Sequence, residues 1–139
     1  MQIECINESV SSENSSQTLI EWANNSELEI TLGKIYTVLA ISKYMDIIFY
    51  YVLSDLSDYY PLAFPSNLFK ITDSHISRYW DIPIKEIESP DKINIKNGEI
   101  ISFKEWALKG DKFYENLLDE KREEVTTFNI YKNKIMNEE

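Results

Sequence analysis

A chain of 139 residues, 43% apolar and 13% aromatic, can bury one sizeable core, which excludes disorder throughout and predicts a single domain over 1–139. Its 24 Asp and Glu against 14 Lys and Arg give a net charge of −10, which argues against a phosphate-backbone binder and favours attraction of a basic partner. One His, one Cys and three Gly supply little of what most catalytic sites are made from, so no enzyme activity and no cofactor are expected.

The acidity is regional: the first 33 residues carry Glu4, Glu8, Glu13, Glu21, Glu27 and Glu29 and no cation before Lys34. Residues 3–6 read as a short strand, and 7–18, rich in Ser and Asn, as a flexible loop. Thr18-Leu19-Ile20-Glu21 has capping-box spacing for one helical turn burying Leu19 and Trp22. Over 27–32, Leu28, Ile30 and Leu32 alternate with Glu27, Glu29 and Thr31, the pattern of a half-buried strand. Gly33-Lys34 permits a bend, and 35–41 resumes as one extended segment.

Residues 42–46 are polar enough to turn. The run 47–53 is apolar on both alternating faces, which predicts a central strand covered on both sides. After a turn at 54–58, Tyr60, Leu62 and Phe64 alternate between Pro61 and Pro65, so this strand belongs at a sheet edge. Residues 68–71 close the sheet. Ile76, Tyr79 and Trp80 have the spacing of a single helical turn within 73–80, and 82–87 and 93–101 suggest further short strands, with a hairpin at Asn97-Gly98.

Ser102-Phe103-Lys104-Glu105 is a capping box, with Ile101 and Trp106 at its staple positions, and Gly110 ends that helix. Asp111 can cap a second helix with Phe113, Tyr114, Leu117 and Leu118 on one side. In 121–136 the spacing of Val125, Phe128, Tyr131 and Ile135 favours helix, although Thr126, Phe128 and Ile130 could alternate as a strand. The order is α+β: 1–101 mainly β, then a helical appendage over 102–139.

Cys5-Ile6-Asn7, residues 28–32 followed by Gly33-Lys34-Ile35-Tyr36-Thr37-Val38, then Tyr60-Pro61 and Pro65-Ser66-Asn67-Leu68-Phe69 resemble a small bacterial and phage accessory family with an SH3-like barrel. Phe103-Lys104-Glu105-Trp106 and Phe113-Tyr114-Glu115-Asn116-Leu117 resemble its C-terminal helices. The resemblance implies an antiparallel, strongly curved SH3-like sheet or small barrel. It also implies an accessory role, immunity proteins that neutralise secreted toxins included, and carries no catalytic residue across.

Chemical sites are sparse. Cys5 is the only cysteine, which excludes an intramolecular disulfide or a cysteine metal cage. His75 alone would need carboxylates to complete a zinc site, and a surface or capping histidine is the simpler assignment. There is no Gly-x-Ser-x-Gly elbow and no phosphate-binding Gly-Lys-Ser or Gly-Lys-Thr. Asp55 and Asp58 could form an acid–base pair, but turn-forming aspartates explain them more economically. Tyr50, Tyr51, Tyr59, Tyr60, Tyr79 and Trp80 divide between core packing and a binding surface. The partner-binding candidates are Asp55, Asp58, Tyr59, Tyr60, Asp81, Glu86 and Glu88, an acidic and aromatic surface suited to a basic protein such as a toxin domain and unsuited to nucleic acid. An SH3-like adaptor or phage accessory protein holding a host protein or peptide is the alternative. The N-terminus has no basic leader and no segment approaches the roughly 20 apolar residues of a membrane span, so no membrane association and a cytoplasmic location are expected.

Overall fold

A computed structural model of the chain describes residues 1–7 and 29–138. Most of the expected 7–18 loop, the capped turn at 18–22, and Glu27 and Leu28 lie outside the described residues. The elements run β1 (Gln2–Cys5), β2 (Ile35–Thr37), β3 (Ala40–Tyr44), β4 (Ile47–Val52), β5 (Leu62–Pro65), β6 (Phe69–Asp73), β7 (Ile100–Ile101), α1 (Lys104–Lys109), α2 (Asp111–Leu118) and α3 (Arg122–Met136). Two antiparallel sheets form, one in the order β2-β1-β6 and one in the order β5-β4-β3-β7. The α+β order therefore holds, while strand pairing among the described residues does not close the sheets into a barrel.

The chain passes directly between the sheets at two places and returns a third time, from β6 to β7, through residues 74–99. At Val38 and Leu39 the first amide still donates to Met1 O (3.0 Å) in the small sheet and the second donates to Tyr51 O (2.8 Å) in the large one. The extended segment expected at 35–41 is thus two strands, because Val38, Leu39, Ala40 and Ile41 are all buried and the chain crosses the core instead of lying along one face. A 3₁₀ turn at Ser66–Leu68 links β5 to β6 in the same way.

β4 is central, between β3 and β5, as its apolar run requires. Tyr50 projects to the small sheet, where its ring and that of Phe64 meet Phe69 at 6.0 and 6.5 Å. Tyr51, on the opposite face, meets Trp106 at 5.0 Å and Tyr114 at 5.2 Å. One layer of sheet and one of helices therefore cover the two faces. β5 lies at an edge, ending on Pro65, where a missing amide donor costs no ladder bond.

Four local expectations are corrected. Residues 29–32 form no strand: Gly33, at φ +83°, turns the chain so that its N–H meets Cys5 O at 2.8 Å, and the backbone before it bonds singly, Glu29 O to Asp55 N–H and Thr31 N–H to Tyr36 OH, instead of in a ladder. Residues 73–80 form no helical turn, since Ile76 N–H donates to Lys85 O (2.8 Å), Ile87 N–H donates to Ser74 O (2.9 Å), and Trp80 bridges Phe103. Residues 82–87 and 93–99 form no strands; buried Ile87, Ile93 and Ile95 anchor an irregular segment that makes only isolated backbone bonds. The turn expected at 42–46 contracts to Met45 and Asp46, both at positive φ. Asn97 braces it through Asp46 N–H (2.9 Å) and Asp46 Oδ1 (3.0 Å), so Asn97-Gly98 supports this hairpin in place of making its own.

The helices form where expected, for partly different reasons. Ser102 is wholly buried and donates to Leu39 O at 2.8 Å, so it ties α1 to the sheet and Phe103, not Ser102, holds the N-cap position. Gly110, at φ +59°, both ends α1 and starts α2, so Asp111 is the first residue of α2 and not its cap. Glu124, unlike the exposed Glu115, Asp119, Glu120 and Glu123, is buried, accepting from Asn116 Nδ2 (3.1 Å) and Lys109 Nζ (3.4 Å). The Asn116 bond, outweighing desolvation with help from Lys109, holds its carboxyl below the usual range. Among the described residues no helix is long and apolar enough to cross a membrane.

Trp106 is wholly buried among Tyr51, Phe103, Phe113, Tyr114 and Phe128. Trp106→Ala is expected to lower stability by about 3–5 kcal/mol, read as a shifted urea midpoint. Ser102→Ala is expected to cost about 1–3 kcal/mol because it strands a buried carbonyl. Ser102→Asp, a good N-cap residue, should be worse than alanine; equal or better stability would return Ser102 to a capping role.

Candidate functional site

The segment between β4 and β5 is fixed at both ends and bare in the middle. At its start Asp55 gathers three donors: Thr31 Oγ1 (2.6 Å), Lys34 Nζ (2.6 Å) and Tyr36 OH (2.8 Å). Its own N–H donates to Glu29 O (2.9 Å), and Ser54 Oγ donates to Glu29 Oε2 (2.8 Å). Partial desolvation pushes the Asp55 carboxyl up, but the bonds from Lys34, Thr31 and Tyr36 prevail and hold it below the carboxylate range. Burial, reinforced by Asp55, pushes the Tyr36 phenol up to about 12, so it remains a donor.

At the far end, Tyr114 OH donates to Pro61 O at 2.7 Å, and burial raises that phenol well above its ordinary range. Lys132 of α3 donates to Asp58 O at 3.1 Å. Between these ties Tyr59 is 83% exposed and Tyr60 37%. They form one wall of a cleft of about 410 Å³ whose other wall comes from the α2–α3 hairpin: Leu117, Leu118, Val125, Thr126 and Asn129, with Glu120 and Arg122 at the connection. Leu118 is 44% exposed there. The cleft therefore offers two phenols and an aliphatic floor, with both signs of charge at its rim, chemistry suited to anchoring an apolar or aromatic partner side chain.

The seven candidate residues divide. Asp55, Asp58, Tyr59 and Tyr60 share this loop, Tyr59 and Tyr60 facing the cleft while Asp55 is spent on folding the loop's base. Asp81, Glu86 and Glu88 are exposed but bond within 73–102. Asp81 N–H donates to Ser102 O (2.8 Å), Glu86 accepts from Ser74 Oγ (3.1 Å), and Glu88 pairs with Lys92 (3.0 Å). His75 is exposed between two carboxylates, with Nδ1 2.9 Å from Asp73 and Nε2 3.6 Å from Glu86. Among the described residues no group of three or more His, Cys, Asp or Glu is placed to hold a metal ion.

Comparison with known proteins finds no matching family, no similar curated protein and no similar solved structure. The cleft's helical wall also escaped the sequence reading. Leu118, expected on the same side of the helix as Leu117, is exposed instead: adjacent positions on a helix lie about 100° apart, so the buried face takes Leu117 and leaves Leu118 out.

Asp55→Asn is expected to lower stability at pH 7 by no more than about 1 kcal/mol, discounted for solvent screening. Because its folded-state pKa is depressed, its contribution is present above the unfolded value and disappears as pH falls through the folded one. Urea midpoints of the two proteins should therefore converge in acid; a gap that persists at about pH 2 would contradict the network.

Proposed function

We propose that the protein is a cytoplasmic, immunity- or antitoxin-like binding protein that neutralises a basic toxin domain by occluding its active site, without turnover of its own. The observation that carries the reading is the Tyr59–Tyr60 cleft: two tyrosines held open to solvent on a loop pinned at Asp55, Asp58 and Pro61. Exposed aromatics on a preorganised support are the residues that dominate binding energy at protein interfaces. The net charge of −10 supports a basic partner by steering encounter, with Asp58, Asp119 and Glu120 exposed on the loop and the helix connection that form the cleft.

The SH3-like character of the β portion belongs to the same proposal. It is supported by the chain path, in which β2 runs into β3 through Val38 and Leu39 and β5 runs into β6 through a 3₁₀ turn, so both sheets share the same two stretches of chain. The alternative, an SH3-like adaptor or phage accessory protein that holds a host protein or peptide, would use the same aromatic cleft. It differs in lacking dependence on the partner's positive charge.

Co-expression with the toxin encoded beside this gene is expected to protect the host and to give a one-to-one complex whose association slows as salt rises. Tyr59→Ala should weaken that complex at least tenfold with little change in unfolding midpoint, because the side chain is exposed. Absence of both protection and a complex would sink the immunity reading, and salt-independent association would favour the adaptor.

A further inference from the structure

A second cleft, of about 310 Å³, opens on the helix-facing side of the large sheet. Strand alternation explains its lining: Ser42 and Tyr44 of β3, Phe49 and Tyr51 of β4, Ala63 of β5 and Ile100 of β7 all point to this face, as the registers Ser42↔Phe49, Ser42↔Ile100 and Tyr51↔Ala63 require. Lys43 also lines the cleft, although its register with Ile48 sets its Cβ on the opposite face of the sheet. Three aromatic rings and two aliphatic side chains therefore form the walls. Tyr44, 64% exposed, stands at the end where the Met45–Asp46 turn is braced by Asn97.

The polar side chains that strand alternation and α2 direct to this face are hydroxyls and one carboxylate. The Ser42 hydroxyl and the Tyr51 phenol both line it. Asp111, the first residue of α2, lines the same space and is exposed, while its neighbour Lys112 is engaged with Glu115 at 3.9 Å. An apolar cleft of aromatic rings with a carboxylate in its lining fits a cationic group on an apolar stem: the rings attract the cation, the walls take the methylenes and the carboxylate takes the charge. Anions meet Asp111, and neutral ligands forgo it.

We propose that this cleft is a binding site for a primary alkylammonium group, with Tyr44, Phe49 and Tyr51 enclosing the stem and Asp111 pairing the ammonium. The site is separate from the Tyr59–Tyr60 cleft and does not depend on the function assigned to it. A lysine side chain and a free alkylamine share this chemistry.

The test is a titration of the ¹⁵N-labelled full chain with n-butylammonium, n-butanol and butyrate, and with Nα-acetyl-lysine methylamide, following backbone amide shifts. Saturable shifts confined to residues around Ser42, Tyr44, Phe49, Ala63 and Ile100 are expected for butylammonium, with butanol and butyrate at least about tenfold weaker. Asp111→Asn, at an exposed position that leaves the rest of the spectrum in place, should weaken butylammonium about tenfold. Binding of the lysine derivative as well would identify a protein lysine as the source, and binding of butylammonium alone a free amine; either supports the site. Absence of localised shifts with both amines, equal binding of butanol, or an unchanged response in Asp111→Asn would overturn it.

Discussion

Burial of β4 on both faces is the constraint on which the rest of the molecule depends. Tyr50 and Tyr51 are adjacent in sequence and point opposite ways, and each is covered by a different layer, Phe69 of the small sheet on one side and Trp106 with Tyr114 of the helices on the other. A four-stranded sheet with two apolar faces is not stable alone in water, so the small sheet and the helical segment are each required to hide one of them. The Tyr50 hydroxyl and the Trp106 indole N–H are buried without a hydrogen-bond partner among the described residues. Apolar packing on this strand therefore outweighs two polar penalties that each run to about 1–3 kcal/mol.

The same packing creates the surface features. Because α2 must lie on Tyr51 through Tyr114, the Tyr114 hydroxyl comes within reach of Pro61 O and fastens the end of the β4–β5 loop. Because α3 packs behind α1, with Tyr131 stacked on Phe103 at 4.3 Å, Lys132 reaches the same loop at Asp58. Tyr59 and Tyr60 are left between these ties, held out by bonds that neither of them makes with its own phenol. The alkylammonium cleft arises on the part of the same sheet face that lies beside Asp111 at the start of α2.

Much of the architecture was legible locally. The doubly apolar 47–53 run, the prolines that put β5 at an edge, the bend at Gly33 and the helices after residue 102 each follow from side-chain pattern or backbone freedom within a few residues. The failures share one cause, which is bonding to groups outside the residue's own turn or strand. Ser102 has the spacing of a cap yet bonds Leu39, 63 residues distant. Glu124 looks like one more surface acid until Lys109 and Asn116 close over it. The seven candidate binding residues were chosen by type, and type alone does not reveal that Asp55 is held by Lys34, Thr31 and Tyr36 while Tyr59 stands clear.

The sequence by itself determined the class of the molecule: an acidic α+β chain with strands first and helices last, short of histidine, cysteine and glycine, and rich in aromatics. Periodicity and composition fix those properties because they depend on each residue's own chemistry and its nearest neighbours. Only the tertiary structure decided that the extended segment at 35–41 divides between two sheets, that Leu118 and Val125 face two tyrosines across a cleft, and that Asp111 lines the same cleft as Tyr44, Phe49 and Tyr51. Those are juxtapositions of residues far apart in the chain, and they exist only once β4 has been buried from both sides.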